Sequence, residues 1–194
     1  MDEAYKDLQI NGSDWSYGSR WGDQMEEAII KFGQSITNKN SRILDIGCGE
    51  GRGLDTLVKM GFKEVVGIDI APEKIAKARS SGHLIYEYDF HKLPELNLLA
   101  KSFDYTFCSH TLEHAYDIEM ALKSIEFVTK KQLHFIVPVG ETKEEVDKYN
   151  PSHTNPFSSI FEIDELLKKL KYNFSINEQT RLCKEVHGII YYEE

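Results

Sequence analysis

The stretch that most constrains this chain runs from Arg42 to Gly53 and reads R-I-L-D-I-G-C-G-E-G-R-G. Ile43, Leu44 and Ile46 make a short apolar run of the kind that forms a fully buried parallel strand. Gly47, Gly49 and Gly51 then interrupt it, and Leu54 to Met60 carries helical apolar spacing. A strand that ends in alternating glycines and turns into a helix lets backbone approach a ligand where side chains would collide. The helix start adds N–H donors that have no partner inside the helix. Such a turn suits a nucleotide or a nucleoside, and its spacing narrows the choice. The dinucleotide pattern G-x-G-x-x-G fails in both registers, because Arg52 or Leu54 falls where the third glycine belongs. No G-K-[ST] follows for a triphosphate loop. What fits is D-x-G-x-G-x-G from Asp45 to Gly51.

Further along, strand and helix alternate. Strands are expected from Glu64 to Asp69, Leu84 to Asp89, Phe103 to Ser109 and Leu133 to Val139. Helices are expected from Asp23 to Ser35, from Pro72 to Arg79, where proline suits the first helical position, and from Ile118 to Val128. The alternation predicts an α/β fold: a Rossmann-like, doubly wound sheet, mostly parallel, with helices on both faces. Glu141 to Pro156 is a long polar connection of the kind that carries function. A helix around Ile163, Leu166, Leu167 and Leu170 follows, then two strands, Tyr172 to Asn177 and Glu185 to Tyr192. The connection between these two is too short for a helical crossover, so they should pair antiparallel. We expect one domain over residues 1–194: an N-terminal arm and helix (1–41), a ligand-binding half (42–139), and a loop with the C-terminal strands (140–194).

Composition excludes several functions. The 194 residues (22.4 kDa) suffice for one full-sized core, and 41 % are apolar. No run approaches the roughly 18 apolar residues of a membrane span. The first residues lack the apolar stretch of a signal peptide, so a soluble cytoplasmic protein is expected. Cys48, Cys108 and Cys183 show no C-x-x-C pairing, which argues against disulfides and a structural zinc. A formal charge of −9 and no basic stripe disfavour nucleic acid as a partner.

Asp45, Asp69 and Asp89 are each expected at the carboxyl end of a successive strand, which puts three carboxylates along one sheet edge. Asp69 is placed to accept from a ribose diol, and Asp89 from an exocyclic amino group. At this point the sequence resembles the class I S-adenosylmethionine-dependent methyltransferases, over roughly residues 42–192. I-L-D-I-G-C-G-E-G is similar to their first motif and V-V-G-I-D-I-A-P to their ribose-binding second. Y-E-Y-D-F resembles the third and F-D-Y-T-F-C-S-H-T-L-E-H the fourth. The resemblance implies a seven-stranded sheet with an antiparallel C-terminal strand and S-adenosyl-L-methionine as cofactor. It places Gly47, Cys48 and Gly49 beneath the methionine part, with Asp45 orienting its ammonium. Asp69 would hold the ribose, Ile70 would pack on the adenine, and Asp89 with the Phe90 backbone would meet its amino group. Ser109 and His110 would lie near the methyl donor.

Methyl transfer from a sulfonium asks the protein to position the nucleophile and accept its proton. The candidates for that work are His110, Glu113, His114 and His153, histidine because its ordinary pKa lies near neutrality. For His114 a structural hydrogen bond is the competing expectation. S-H-T-L-E-H most resembles the small-molecule branch of the family. No D/N-P-P-Y/F motif follows the fourth strand, and no acid follows Phe107 where the metal-dependent catechol type places its first ligand. No metal is expected. The acceptor is therefore expected to be a small molecule methylated on O or N, with no membrane partner and a homodimer left open. The alternatives are a macromolecular acceptor with a partner subunit and a cofactor-binding protein without turnover. Trp15, Tyr17, Arg20 and Trp21 form an aromatic and cationic cluster, expected to fold over the cofactor with Arg20 near its carboxylate.

Overall fold

The computed structural model describes residues 20–149, 151–181 and 183–192. Helix α1 (Arg20–Ser35) precedes β1 (Arg42–Ile46), α2 (Arg52–Lys59), β2 (Glu64–Asp69), α3 (Pro72–Ser80) and β3 (Leu84–Glu87). Then come β4 (Phe103–Ser109), α4 (Ile118–Val128), β5 (Thr129–Pro138), α5 (Lys143–Tyr149), α6 (Ile160–Lys169), β6 (Asn173–Thr180) and β7 (Lys184–Tyr191). The seven strands make one sheet in the order β3-β2-β1-β4-β5-β7-β6. β7 runs antiparallel to both of its neighbours, and the other pairs are parallel. The chain steps outward from β1 to β2 and β3, then crosses back to β4 on the other side of β1. That reversal opens a crevice at the carboxyl ends of β1 and β4, where open sheets bind ligands.

Alternation along the central strands builds the two layers. Ile43 packs with Ala28, Ile29 and Phe32 of α1, Leu57 of α2 and Phe107 of β4. Leu44 and Ile46 face the other way, into the cluster formed by Leu122, Ile125 and Val128 of α4 and Ile163 and Leu167 of α6. Each fully buried aliphatic side chain contributes about 1.5–3 kcal/mol, so the sheet edge is held by packing on both faces. In β7, Gly188 lies opposite Phe135 of β5. A Cβ there would lie 2.1 Å from the Phe135 ring, so a glycine lets the ring lie across the strand.

Three expectations change. β3 ends at Glu87, so Asp89 lies beyond it and instead caps a 3-10 turn, Phe90–Glu95, accepting from the His91 N–H. A short acidic side chain that bonds backbone two residues on stops a strand in this way. The long 141–156 connection contains a helix, α5. It starts with a capping box in T-K-E-E: Thr142 N donates to Glu145 (3.0 Å) and Glu145 N to Thr142 Oγ1 (3.3 Å). β5 begins at Thr129, directly after α4, four residues before the apolar run that marked it.

Candidate active site

The glycine turn is folded over the end of β2. The N–H groups of Gly47 and Cys48 both donate to the Ile68 carbonyl, at 2.9 and 3.1 Å. Gly49 N donates to Asp69 Oδ2 at 2.8 Å, while Asp69 Oδ1 accepts from Ile70 N and Ala71 N. The acid at the end of β2 thus staples the turn. Three of the roughly four acceptor positions of a carboxylate are filled, so a ribose diol would share or displace one. Gly47 (φ 71°), Gly49 (φ 53°) and Gly51 (φ 86°) all occupy the left-handed region. Their surroundings differ. A Cβ on Gly47 would sit 2.1 Å from Thr111 Oγ1, whereas around Gly49 nothing lies within 4 Å. The first glycine is needed for packing, and the second borders open space where a ligand fits.

Asp45 lies behind this turn, 6 % exposed. Burial, and then the neighbouring Asp69 charge, push its carboxyl up to about 8. A cation placed beside such a group would favour its ionised form. Cys48 is buried, and its sulfur would lie 2.6 Å from a Cβ at Gly67, which explains the glycine inside β2. Ile70 is half-buried. Asp89 meets the site less openly than expected. Its Oδ1 is taken by His91 N (3.0 Å) and Nδ1 (2.8 Å), leaving Oδ2 beside the Tyr116 hydroxyl at 3.5 Å. Burial would raise its pKa, but the His91 bonds outweigh it and hold it below the usual value. Phe90 is buried and stacks on His91, which stacks on Tyr116. Ser109 Oγ contacts Met25 Sδ of α1 at 3.5 Å. Trp15 and Tyr17, and the side chains of Arg20 and Trp21, lie outside the described residues, and so does the arm placed over the cofactor.

Across the crevice from the glycine turn's acids, His110 is the first residue after β4. Its φ of 47° is a strained conformation for a non-glycine residue. His110 N donates to the Ile136 carbonyl at 2.8 Å. The ring lies between two acids: Nε2 is 3.3 Å from Glu185 Oε2, in hydrogen-bond range, and Nδ1 is 3.6 Å from Glu113 Oε1, beyond it. Glu185, on β7, was not singled out in the sequence. It is fully buried, yet the bonds from His110, His187 and Arg181 overcome that burial and hold it well below the ordinary carboxylate range. Gln24 also donates to it, at 2.9 Å. His114 Nδ1 donates to the Ser152 carbonyl at 2.9 Å, the structural bond weighed above, and burial lowers its pKa to about 4. His153 Nδ1 lies 2.7 Å from Glu141 Oε2, and its ring meets His114 edge-on. The structure therefore gathers His110, Glu113, His114 and His153 into one cluster beside the glycine turn, with Thr111 packed between.

Residues 37–182 match the family described as "Methyltransferase domain". That match covers most of the chain. The protein belongs to the class I S-adenosylmethionine-dependent methyltransferases. Its cofactor is S-adenosyl-L-methionine. The methyltransferase is 32 % identical over 148 residues to a protein of Talaromyces variabilis named S-adenosyl-L-methionine-dependent Diels-Alderase. That alignment covers 71 % of this chain but 49 % of the relative, so the chain spans about half of that protein. A ubiquinone biosynthesis O-methyltransferase of Bradyrhizobium diazoefficiens is 27 % identical over 191 residues, 89 % of this chain and 72 % of the relative. Among solved structures, a S-adenosylmethionine-dependent methyltransferase from Archaeoglobus fulgidus shares the fold, with TM-score 0.69 and 19 % identity over 90 % of this chain and 95 % of the other. The Bacillus subtilis protein YcgJ does so with TM-score 0.70 and 14 % identity, over 87 % and 99 %. No helix among the described residues is long and apolar enough to cross a membrane.

Proposed function

We propose that this methyltransferase transfers a methyl group to a hydroxyl oxygen of a small-molecule acceptor, with His110 taking the proton. The observation that carries this reading is the setting of His110: strained at the end of β4, between Glu185 and Glu113. Glu185, held ionised, lies 3.3 Å from the ring nitrogen of His110 on the side where positive charge would develop. Bound, the cofactor supplies an electrophilic methyl on a sulfonium. Asp45 and the Gly47–Gly49 turn would hold its amino-acid part, Asp69 the ribose, Ile70 and the Phe90 backbone the adenine, and Ser109 would border the donor. The acceptor hydroxyl would give its proton to His110 while its oxygen pair takes the methyl carbon, the methyl–sulfur bond breaking with its pair left on sulfur. His153, on the 151–156 loop and beside His114, would face the acceptor and orient it. The O-methyltransferase name of the Bradyrhizobium relative favours oxygen over nitrogen.

The test is transfer of a tritiated methyl group to a panel of phenols, catechols and amines. We expect transfer to a hydroxyl, with His110→Ala at least tenfold slower in kcat and unchanged in cofactor Kd. A wild-type rate in that variant would remove His110 from the chemistry. The Diels-Alderase name of the Talaromyces relative supports a second reading, in which bound cofactor donates no methyl. Tight cofactor binding with no transfer to any acceptor would favour it.

A further inference from the structure

Glu113 is the group that methyl transfer leaves unexplained. Its side chain is wholly buried on a 3-10 turn, Leu112–His114, and neither carboxylate oxygen accepts a hydrogen bond among the described residues. Buried polar atoms without partners are rare and call for a ligand or an ion. Imidazoles surround it. His114 Nε2 is 4.0 Å from Glu113 Oε1, and one ligating atom each from Glu113, His114 and His153 lie within 4.8 Å of one another. The outer nitrogens of both rings are already committed. His114 Nδ1 faces a carbonyl, which can only accept, so Nδ1 carries the hydrogen. His153 Nδ1 donates in the same way to Glu141. Both tautomers are thereby assigned by their partners, and the lone pairs are left on the Nε2 atoms. An outer acceptor that fixes the ring of a metal-binding histidine is the usual arrangement around such ions.

We propose that Glu113, His114 and His153 bind a divalent transition-metal ion, zinc foremost, through one carboxylate oxygen and two imidazole Nε2 atoms. Two imidazoles select against magnesium and calcium, which take oxygen ligands. Three protein ligands leave a fourth tetrahedral position open, as in catalytic rather than structural zinc sites. Ligand atoms around zinc lie roughly 3.4 Å apart, so the three groups draw together on binding. The frame for this is in place. Asn155 N donates to the Glu113 carbonyl at 2.8 Å, and Thr154 Oγ1 donates to the Ala115 carbonyl at 2.7 Å. The loop that carries His153 is thus fastened to the turn that carries the other two ligands. The binding site stands on this geometry alone. Its role rests on the function proposed above: an acceptor hydroxyl at the open position becomes more acidic, its proton passes to His110, and its oxygen pair forms the bond to the methyl carbon as the methyl–sulfur bond breaks with its pair left on sulfur.

The experiment uses the full chain, stripped with a chelator and titrated with zinc by calorimetry, without and with S-adenosylmethionine. One equivalent should bind with a Kd of about 1 µM or tighter, and millimolar magnesium should not compete. His153→Ala and Glu113→Gln should each weaken binding at least 100-fold. Glu141→Gln, which touches no metal, should weaken it about tenfold through the His153 ring. Cofactor affinity should stay within twofold throughout. If Glu113→Gln fails to fold, the two loop variants decide the question. Absent stoichiometric zinc binding, or variants that bind like wild type, overturn the site. Zinc binding without methyl transfer supports the site and counts against the function. Transfer that proceeds at full rate in stripped protein overturns the role given to the ion.

Discussion

At the scale of single residues, charges are placed where water is scarce, and their neighbours decide their state. Asp45 is the clearest case, with its carboxyl raised to about 8 by burial and then by Asp69. In the unfolded chain it titrates near its ordinary value of 3.8, so between about 4 and 8 the folded form keeps a proton the unfolded form has lost. By linkage this contribution to stability is complete below pH 4 and is lost as pH rises towards 8. We expect cofactor-free protein to melt about 5 °C lower at pH 8 than at pH 6, a difference that Asp45→Asn abolishes. Saturating cofactor should flatten it as well, because an ammonium beside Asp45 favours the charged form. Differential scanning fluorimetry across pH reads all three. Parallel pH curves for the wild type and the variant would remove Asp45 as the cause. His114 and His134, both lowered to about 4 by burial, act in the opposite sense and below pH 6.5, outside most of this range.

At the scale of elements, the β1–α2 turn divides its work between neighbouring glycines. Gly47→Ala would force a Cβ to within 2.1 Å of the Thr111 hydroxyl at a positive φ. Nothing there yields without moving the turn after β4, and a loss of about 2–4 kcal/mol is expected in urea unfolding. Gly49→Ala meets no atom within 4 Å and carries only the left-handed backbone cost of roughly 1–2 kcal/mol. It should fold, yet bind S-adenosylmethionine at least tenfold more weakly, since its methyl enters the opening. Equal cofactor affinity in Gly49→Ala and wild type would place the ligand elsewhere. The α5 capping box shows the reverse situation. Thr142 and Glu145 spell that helix start in the sequence, but a seven-residue helix in a polar stretch has little apolar periodicity to announce it.

At the scale of the whole molecule, β7 is the keystone of the C-terminal half. It lies between β5 and β6, it buries Val186 and Ile190 completely, and through Glu185 it reaches His110 and Gln24. Removing residues 171–194 would strip the β5 edge and uncover that part of the core. The truncated chain should therefore lose its cooperative thermal transition by circular dichroism. A sharp transition near the wild-type temperature would show that the sheet stands without its hairpin. The sequence by itself determined the alternating strands and helices, with β2, β4 and α4 bounded as found, because periodicity and turn chemistry act over a few residues. It also marked the glycine turn, since three left-handed residues within five positions strongly favour glycine. The acids after the strands could be located along one edge, but not their partners: that His91 occupies Asp89 depends on how the 3-10 turn packs. Only the tertiary structure joined Glu113 and His114 to His153, and His110 to Glu185, which lies 75 residues away. Such pairs leave no periodic trace, because long-range proximity is set by how the layers pack and not by local conformation.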